Sequence, residues 1–323
     1  MNEAEKWLIT GGAGYIGAHI GDELLANGKD LVIYDSLHNG LESRIAFLRN
    51  KYQREIPFVN ADIRNVKTYR ETLERYRPKG IIHTAALKSV SESMEKSHEY
   101  FEVNCHATAK LLEITQSLGI KDFIFSSTAA VYGAPNHFDL IKEDSIKKPI
   151  SPYGASKLAA EEEVNKFLAK PGNKGTSLRF FNVIGSASPE LMDHSAGNLV
   201  PIVISKFRGE QLPVIYGTDY STVDGTCIRD FVDVRDIARA HLTVIDSVNK
   251  LPLAMNVGTG LGHSVRAVIE LISARFGHAE LVATEVERRL GDPAFLCADV
   301  SLIEITTGFT SKYSLESSIE SLF

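Results

Sequence analysis

The sequence predicts an α/β protein with a doubly wound parallel β-sheet, followed by a smaller region of mixed α/β structure. Three observations support this fold class. Short apolar segments alternate with helical patterns through the first half of the chain, as in sheets whose strands are joined by helices. Segments such as GIIHTAA and DFIFSS are apolar without alternation, which is typical of strands covered on both faces. A glycine-rich turn joins the first strand to the first helix.

The predicted strands lie mainly before residue 181. In chain order they are KWLIT, KDLVIYD, IPFVNAD, GIIHTAA, DFIFSST and TSLRFFNVIG. Helical patterns follow the glycine turn and cover residues 66–76. The rhythm then loosens into long polar loops, so we predict a first domain at 1–181 and a second at 182–323. We expect the segments FVDVRDIARAHLTVI and MNVGT to return to the first domain.

Composition limits the class of protein. The 323 residues carry a formal net charge of −6 and include no dense basic run, so we expect no nucleic-acid partner. No apolar run is long enough to cross a membrane, and the N-terminus does not resemble a signal peptide. Three widely spaced cysteines show neither a disulfide framework nor metal-ligand spacing. We therefore expect a cytoplasmic protein without a metal centre.

The turn ITGGAGYIGAHI predicts a dinucleotide site of the Rossmann type. Its glycines, at 11, 14 and 17, follow a strand and open a helix whose N-terminus favours phosphate. Asp35 ends the second strand, where a carboxylate accepts hydrogen bonds from ribose hydroxyls and repels a 2′-phosphate. This pattern favours NAD over NADP. Asp62 and Ile63, after the third strand, suit the adenine; the alternative for Asp62 is a solvated turn residue.

The segment SPYGASK suggests an acid/base pair. A free tyrosine titrates near pH 10, but Lys157 lies one helical turn after Tyr153 and would favour the phenolate. Thr128 ends the strand DFIFSST, at the sheet edge where such folds bind ligands. Its hydroxyl can share a proton between Tyr153 and a substrate. Most Tyr-x-x-x-Lys pairs are ordinary surface residues, so the interpretation depends on the adjoining NAD turn and strand end.

Together these motifs resemble the extended short-chain dehydrogenase/reductase family, over nearly the whole chain. Within that family, LKSV, DYSTVDGT and IRDF are similar to the nucleotide-sugar 4-epimerases that act on UDP-glucose and UDP-galactose. Such proteins hold one NAD per subunit and oxidise, then reduce, C4 of a UDP-sugar. They commonly form homodimers through two helices, here about 97–118 and 153–169.

The resemblance also assigns roles to individual residues. Tyr153 would be the acid/base, Lys157 its electrostatic partner and Thr128 the proton-sharing hydroxyl, and all three would contact cofactor or substrate. The cofactor site would comprise Gly11, Gly14, Tyr15, Ile16, Gly17, Asp35, Asn39, Asp62, Ile63, Lys88, Asn104, Tyr153, Lys157 and Phe181. The UDP-sugar site would comprise Lys88, Thr128, Tyr153, Asn182, Asn198, Leu199, Tyr216, Arg229, Arg289, Asp292 and Leu296.

Ala129 and Ala130 distinguish between reactions within the resemblance. Related dehydratases and decarboxylating enzymes place acidic residues directly after the Ser/Thr, and alanine cannot transfer a proton. This favours epimerisation. A UDP-glucuronate 4-epimerase, or a binding protein without catalysis, remains an alternative. The hexose pocket is assigned to Leu296, with Phe295 and Cys297 as neighbours, and this leaves plain, N-acetylated, uronate and pentose sugars open.

Overall fold

The main sheet of the computed structural model has seven parallel strands in the order β10-β6-β5-β4-β1-β2-β3. The structure describes residues 5–135, 138–195, 197–247, 250–278, 283–289 and 292–323. The strands of this sheet are β1 (Lys6–Thr10), β2 (Asp30–Asp35), β3 (Phe58–Asn60), β4 (Gly80–His83), β5 (Asp122–Thr128), β6 (Lys174–Phe180) and β10 (Ala254–Val257). The Rossmann-type prediction is thereby confirmed.

The strand order reverses between β1 and β4. From β1 the chain moves outward through β2 and β3, then crosses back to β4 and continues outward to β5 and β6. Connections therefore leave the carboxyl ends of β1 and β4 in opposite directions. A crevice forms at such a point in open α/β sheets and is their usual ligand site.

Helices cover both faces of this sheet because successive strand residues point to opposite sides. Trp7 and Ile9 belong to one core cluster, whereas Leu8 belongs to the other. The helices near the sheet are α1 (Tyr15–Ala26), α2 (Glu42–Tyr52), α3 (Val66–Tyr76), α4 (Val90–Glu95), α5 (Ser97–Phe101), α6 (Ala107–Ser117), α7 (Pro152–Leu168), α9 (Val234–Asp246) and α11 (Ser301–Thr307).

A second, smaller unit contains the remaining strands. In it β9 (Ile228–Asp233) pairs with three neighbours, and a separate parallel pair is formed by β8 and β12. These elements are β7 (Asn182–Ile184), β8 (Val214–Tyr216), β11 (Gly262–Ser264), β12 (Thr284–Val286) and β13 (Phe295–Leu296), with helices α8 (Leu199–Arg208), α10 (Val265–Arg275) and α12 (Leu315–Glu320). Their apolar side chains form a separate core.

Several predicted element bounds were wrong. TSLRFFNVIG is not one strand, because β6 ends at Phe180 and β7 pairs with β9 in another sheet. The strands predicted at IPFVNAD and GIIHTAA are shorter, at 58–60 and 80–83. Residues 97–118 are not one regular helix, since a π-helical turn at 102–106 separates α5 from α6.

The chain after residue 182 contributes to both units. MNVGT supplies β10, which joins the main sheet beside β6, and α9 packs on α1. The domain boundary near residue 181 stays a prediction. That prediction already allowed later segments of the chain to pack with the first domain, as β10 and α9 do. Within the described ranges, no helix combines the length and apolar character needed to span a bilayer.

Candidate active site

The glycine turn lies at the carboxyl end of β1, beside the strand-order reversal. Gly11 adopts φ 73°, and a Cβ on Gly17 would approach the Gly11 carbonyl oxygen to 2.2 Å. Both positions therefore require glycine. Gly14 caps α1 without a side-chain hydrogen bond, which leaves first-turn N–H groups available to an anion. A helix start without a side-chain cap, in a turn whose glycines let a ligand approach the backbone, fits the pyrophosphate of a dinucleotide.

Tyr15 and Ile16 hold the start of α1 in place through contacts with the rest of the protein. The Tyr15 hydroxyl donates to the Gly185 carbonyl at 2.6 Å, and Ile16 packs against the core beneath the sheet. Tyr15 thereby joins the start of α1 to the loop after β7. Burial raises the pKa of Tyr15 well above its ordinary value, so the phenol stays protonated.

Asp35 is buried at the end of β2, beside the glycine turn. Its carboxylate accepts hydrogen bonds from the Ala13 N–H at 3.0 Å and the Leu37 N–H at 2.7 Å. Burial raises its pKa, and these bonds oppose the rise. Leu37 adopts φ 60°, a conformation that leucine seldom takes, so the loop carrying exposed Asn39 is held tightly against Asp35. The acceptor set suits the hydroxyls of an NAD ribose.

The Asp62 carboxylate is already hydrogen-bonded within the protein, which its position in a turn did not predict. Arg64 donates to both carboxylate oxygens, at 2.9 and 2.7 Å, and lowers the pKa of Asp62. Its remaining acceptor capacity is limited. Ile63 beside it is buried in the core. The adenine assignment of both residues stays a prediction.

Asn104 and Lys88 lie at the far side of the crevice. The buried Asn104 amide exchanges hydrogen bonds with the Leu87 backbone, at 2.8 and 2.9 Å, and donates to Ser156 at 3.1 Å. Asn104 therefore fixes the loop that presents Lys88. The exposed Lys88 ammonium donates to the Ser195 hydroxyl at 3.0 Å.

Asp193 brings together Lys88 and Asn198, which were predicted for the cofactor and substrate sites. Its carboxylate lies 3.7 Å from the Lys88 ammonium and accepts from the Asn198 amide at 2.7 Å. Asn198 opens α8, followed by half-buried Leu199. Sequence reasoning did not identify Asp193. Its position in a long polar loop, ELMDHSAGN, was the only available signal.

Thr128 and Tyr153 meet at the carboxyl end of β5. Ser151 caps α7 by accepting from the Gly154 N–H at 3.1 Å, and Pro152 fixes its first turn. This places half-buried Tyr153 in the first turn, facing Thr128. Burial raises the pKa of Tyr153, and the hydrogen bond with Thr128 lowers it. A further positive charge is therefore needed before Tyr153 can act as a base near neutral pH.

Lys157, one helical turn later, is the predicted source of that charge. Its side chain is almost fully buried and its ammonium lies 4.2 Å from the centre of the Phe125 ring. Burial lowers the pKa of Lys157 to about 7, and the negative charge of Glu161 opposes the shift. The ammonium is therefore poised near neutral pH, where small changes in nearby charge alter its protonation.

The predicted substrate residues form two groups on the smaller unit. Arg229 lies 3.6 Å from Asp292 and donates to the Pro293 carbonyl at 2.7 Å, and its strand pairs with Leu296. Separately, the Arg289 guanidinium covers the Tyr216 ring at 3.8 Å. Both groups present arginines, whose planar forks suit phosphate oxygens.

Leu296 connects the smaller unit to the carboxyl end of β5. It packs in one apolar cluster with Phe181 and with Ala129, the residue after Thr128. Asn182 begins β7 directly after Phe181 and pairs with Phe231 on β9. The predicted hexose residue thus lies in the same cluster as Ala129, which directly follows the predicted catalytic residue Thr128.

Comparisons with known proteins agree over almost the full length. The model of the "NAD dependent epimerase/dehydratase family" matches residues 7–258. A UDP-glucose 4-epimerase of Mus musculus is 35% identical, with 99% of this chain and 96% of the relative covered. A solved UDP-glucose 4-epimerase from Bifidobacterium longum, in complex with NAD+ and UDP, has 32% identity, a TM-score of 0.91 and coverage of 98% and 96%. The UDP-Glc/GlcNAc 4-epimerase from Campylobacter jejuni has 36% identity, a TM-score of 0.87 and coverage of 99% and 98%.

Proposed function

The chain belongs to the NAD dependent epimerase/dehydratase family, and from that premise we propose that it interconverts UDP-glucose and UDP-galactose. It is an NAD-dependent isomerase that acts on UDP-sugars at C4. One observation carries the choice of reaction: Thr128 and Tyr153 meet beside Lys157, while the next positions are Ala129 and Ala130. Proton transfer is available at one carbon, and no acid or base follows the strand end to drive elimination.

The residues of the chain perform the proton chemistry. Tyr153, as phenolate, takes the proton of the C4 hydroxyl, with Thr128 sharing the hydrogen bond and Lys157 stabilising the negative oxygen. NAD, which the glycine turn and Asp35 would hold, would supply a reversible hydride acceptor for C4. Tyr153 then gives its proton back to the new C4 hydroxyl. Each group ends the cycle in its starting state, so no other redox partner is required.

The nucleotide end of the substrate must stay fixed while the hexose turns. We assign this anchoring to Arg229 and Arg289 on the diphosphate, Tyr216 beside the uracil and Asp292 on the ribose. The guanidinium–ring contact and the Arg229–Asp292 pair support the assignment because both groups are already formed. Anchoring remote from the reacting carbon supplies positioning energy without restraining the sugar.

The hexose pocket favours a neutral sugar. Leu296 is surrounded by an apolar cluster that includes Val131, Ile141 and Ala298. A uronate carboxylate placed against Leu296 would lose hydration, and this side chain offers it no cation. This supports UDP-glucose and UDP-galactose over a UDP-uronate. The N-acetylated pair remains a second candidate, supported by the similarity to the Campylobacter jejuni enzyme named for both sugars.

Incubation of the purified protein with single UDP-sugars tests the proposal. The panel contains UDP-glucose, UDP-galactose, UDP-GlcNAc and UDP-glucuronate, with no cofactor added. We expect conversion of each of the first two into its C4 epimer, detected by chromatography. Water loss, carbon dioxide release or preferential turnover of UDP-glucuronate would contradict the proposal. Well-folded, NAD-loaded protein with no turnover would indicate a binding protein instead.

We also propose a homodimer formed through the segment 97–118 and α7. The exposed sides of these helices carry polar pairs one turn apart, namely Glu102–His106, Lys110–Glu113 and Glu163–Lys166. Sedimentation velocity at micromolar concentration should give about twice the monomer mass, and a monomer would contradict this proposal.

We propose a cytoplasmic location, supported by three unpaired cysteines. Recovery of the protein from a secreted fraction would contradict it.

A further inference from the structure

A buried ion pair lies one helical turn beyond Lys157. Arg179 on β6 donates from Nε and Nη2 to the two carboxylate oxygens of Glu161, at 2.9 and 2.7 Å. Both side chains are at most 5% exposed. Such pairs add little net stability because desolvation offsets their attraction. The role of this pair therefore depends on the other contacts that its two side chains make.

Glu161 also holds the strand end that carries the catalytic hydroxyl. The Ser127 hydroxyl donates to Glu161 Oε1 at 2.5 Å, and Ser127 directly precedes Thr128. One carboxylate therefore joins the end of β5 to α7, the two elements that place Thr128 and Tyr153 in contact. A shift of either element would change the distance over which the proton moves.

Arg179 fixes the other end of the pair. Its Nη1 donates to the Tyr132 hydroxyl at 2.8 Å and to the Glu143 carbonyl at 2.9 Å. Tyr132 in turn donates to the Asn256 side chain at 2.7 Å. The network spans β5, β6, β10 and α7, so Glu161 cannot swing away from Lys157 without breaking several buried hydrogen bonds.

From this arrangement we propose that Glu161 is a positioning residue for the epimerase. Its carboxylate fixes Ser127, and hence Thr128, against α7, and it maintains the positive charge of Lys157 on which the Tyr153 phenolate depends. The inference rests on the proposed function. Glu161 would be a buried residue of α7 that supports the catalytic residues from within the protein. The Tyr-x-x-x-Lys spacing does not identify it.

Other charged or titratable groups around Lys157 cannot replace Glu161. His83 on β4 is neutral, because burial lowers its pKa to about 3. Tyr153 shares the helix, and Tyr132 stays protonated because burial raises its pKa to about 12. Arg179 carries positive charge, and burial raises the pKa of the more distant Glu143 carboxyl. Glu161 is the one anion that supports the Lys157 ammonium within the described surroundings.

The pH profile of the NAD-loaded Glu161→Gln variant tests the inference. The alkaline limb of kcat/KM, where Lys157 loses its proton, should move down by about one pH unit, as expected for one charge a helical turn away. Glu162→Gln, exposed on the same helix, is the matched control and should leave the limb in place. A purely structural Glu161 would lower the plateau without moving the limb.

A second readout does not depend on turnover. With [ε-13C]lysine labelling, the Lys157 resonance, assigned by its loss in Lys157→Met, should titrate at lower pH in Glu161→Gln than in the wild type. If Glu161→Gln fails to fold, E161Q/R179M, which leaves no unpaired buried charge, is compared with Arg179→Met, because both lack the arginine. Lys157 should then titrate at lower pH in the double variant. A Lys157 titration that is the same with and without Glu161 in a folded pair overturns the inference. An inert wild type would instead contradict the proposed function, and the lysine titration would still be measurable.

Discussion

Tyr153→Phe should reduce kcat by about 10³-fold or more while NAD stays bound. Tyr153 is the residue to which we assign proton exchange with the C4 hydroxyl, and general acid–base catalysis contributes about 10²- to 10⁴-fold. The glycine turn and Asp35 form a separate part of the crevice, so cofactor content should match the wild type. Conversion of UDP-galactose to UDP-glucose and absorbance of released NAD measure the two effects.

Tyr76→Phe is the matched control for this variant. Tyr76 is half-buried at the end of α3, away from the catalytic edge, and its loss should leave turnover unchanged. Full activity in Tyr153→Phe would remove Tyr153 from the mechanism. Loss of bound NAD together with activity would show that its main contribution is to hold the cofactor.

Lys157→Met should abolish turnover and yet stabilise the cofactor-free protein below pH 7. The unfolded lysine titrates near pH 10.4, whereas burial lowers the pKa in the folded state to about 7. Below pH 7 both states carry the charge, and the folded state bears the full cost of burying it. Between pH 7 and about 10 the folded state loses its proton first, so the wild type gains stability relative to the variant.

Urea unfolding at pH 6 and pH 9.5 measures this difference. We expect Lys157→Met to exceed the wild type by a few kcal/mol at pH 6, and the gap to shrink towards pH 9.5. Lys67→Met, at an exposed position of α3, should show neither effect. A variant that is less stable than the wild type at pH 6 would mean that the Phe125 contact outweighs the burial cost.

The sequence predicted most of the fold because its strands are short, apolar and bounded by clear turns. The prediction was wrong where one continuous apolar segment is divided between two sheets. At Phe181 the segment leaves the main sheet, and its next residues pair with β9 in the smaller unit. Thr128, Tyr153 and Lys157 could be proposed from spacing because local helical geometry puts two of them on one face. Asp193 and Glu161 could not, since their partners lie up to 105 residues away in sequence.

The return of β10 to the main sheet affects how this protein can diversify. The strand that completes the main sheet comes after most of the residues proposed to bind the substrate. A single crossover between two related genes would therefore pair a sheet from one parent with a closing strand from the other. Two crossovers, or substitutions within loops, are needed to exchange substrate preference intact. New specificities should accordingly arise by local change around positions such as Leu296 more readily than by domain shuffling.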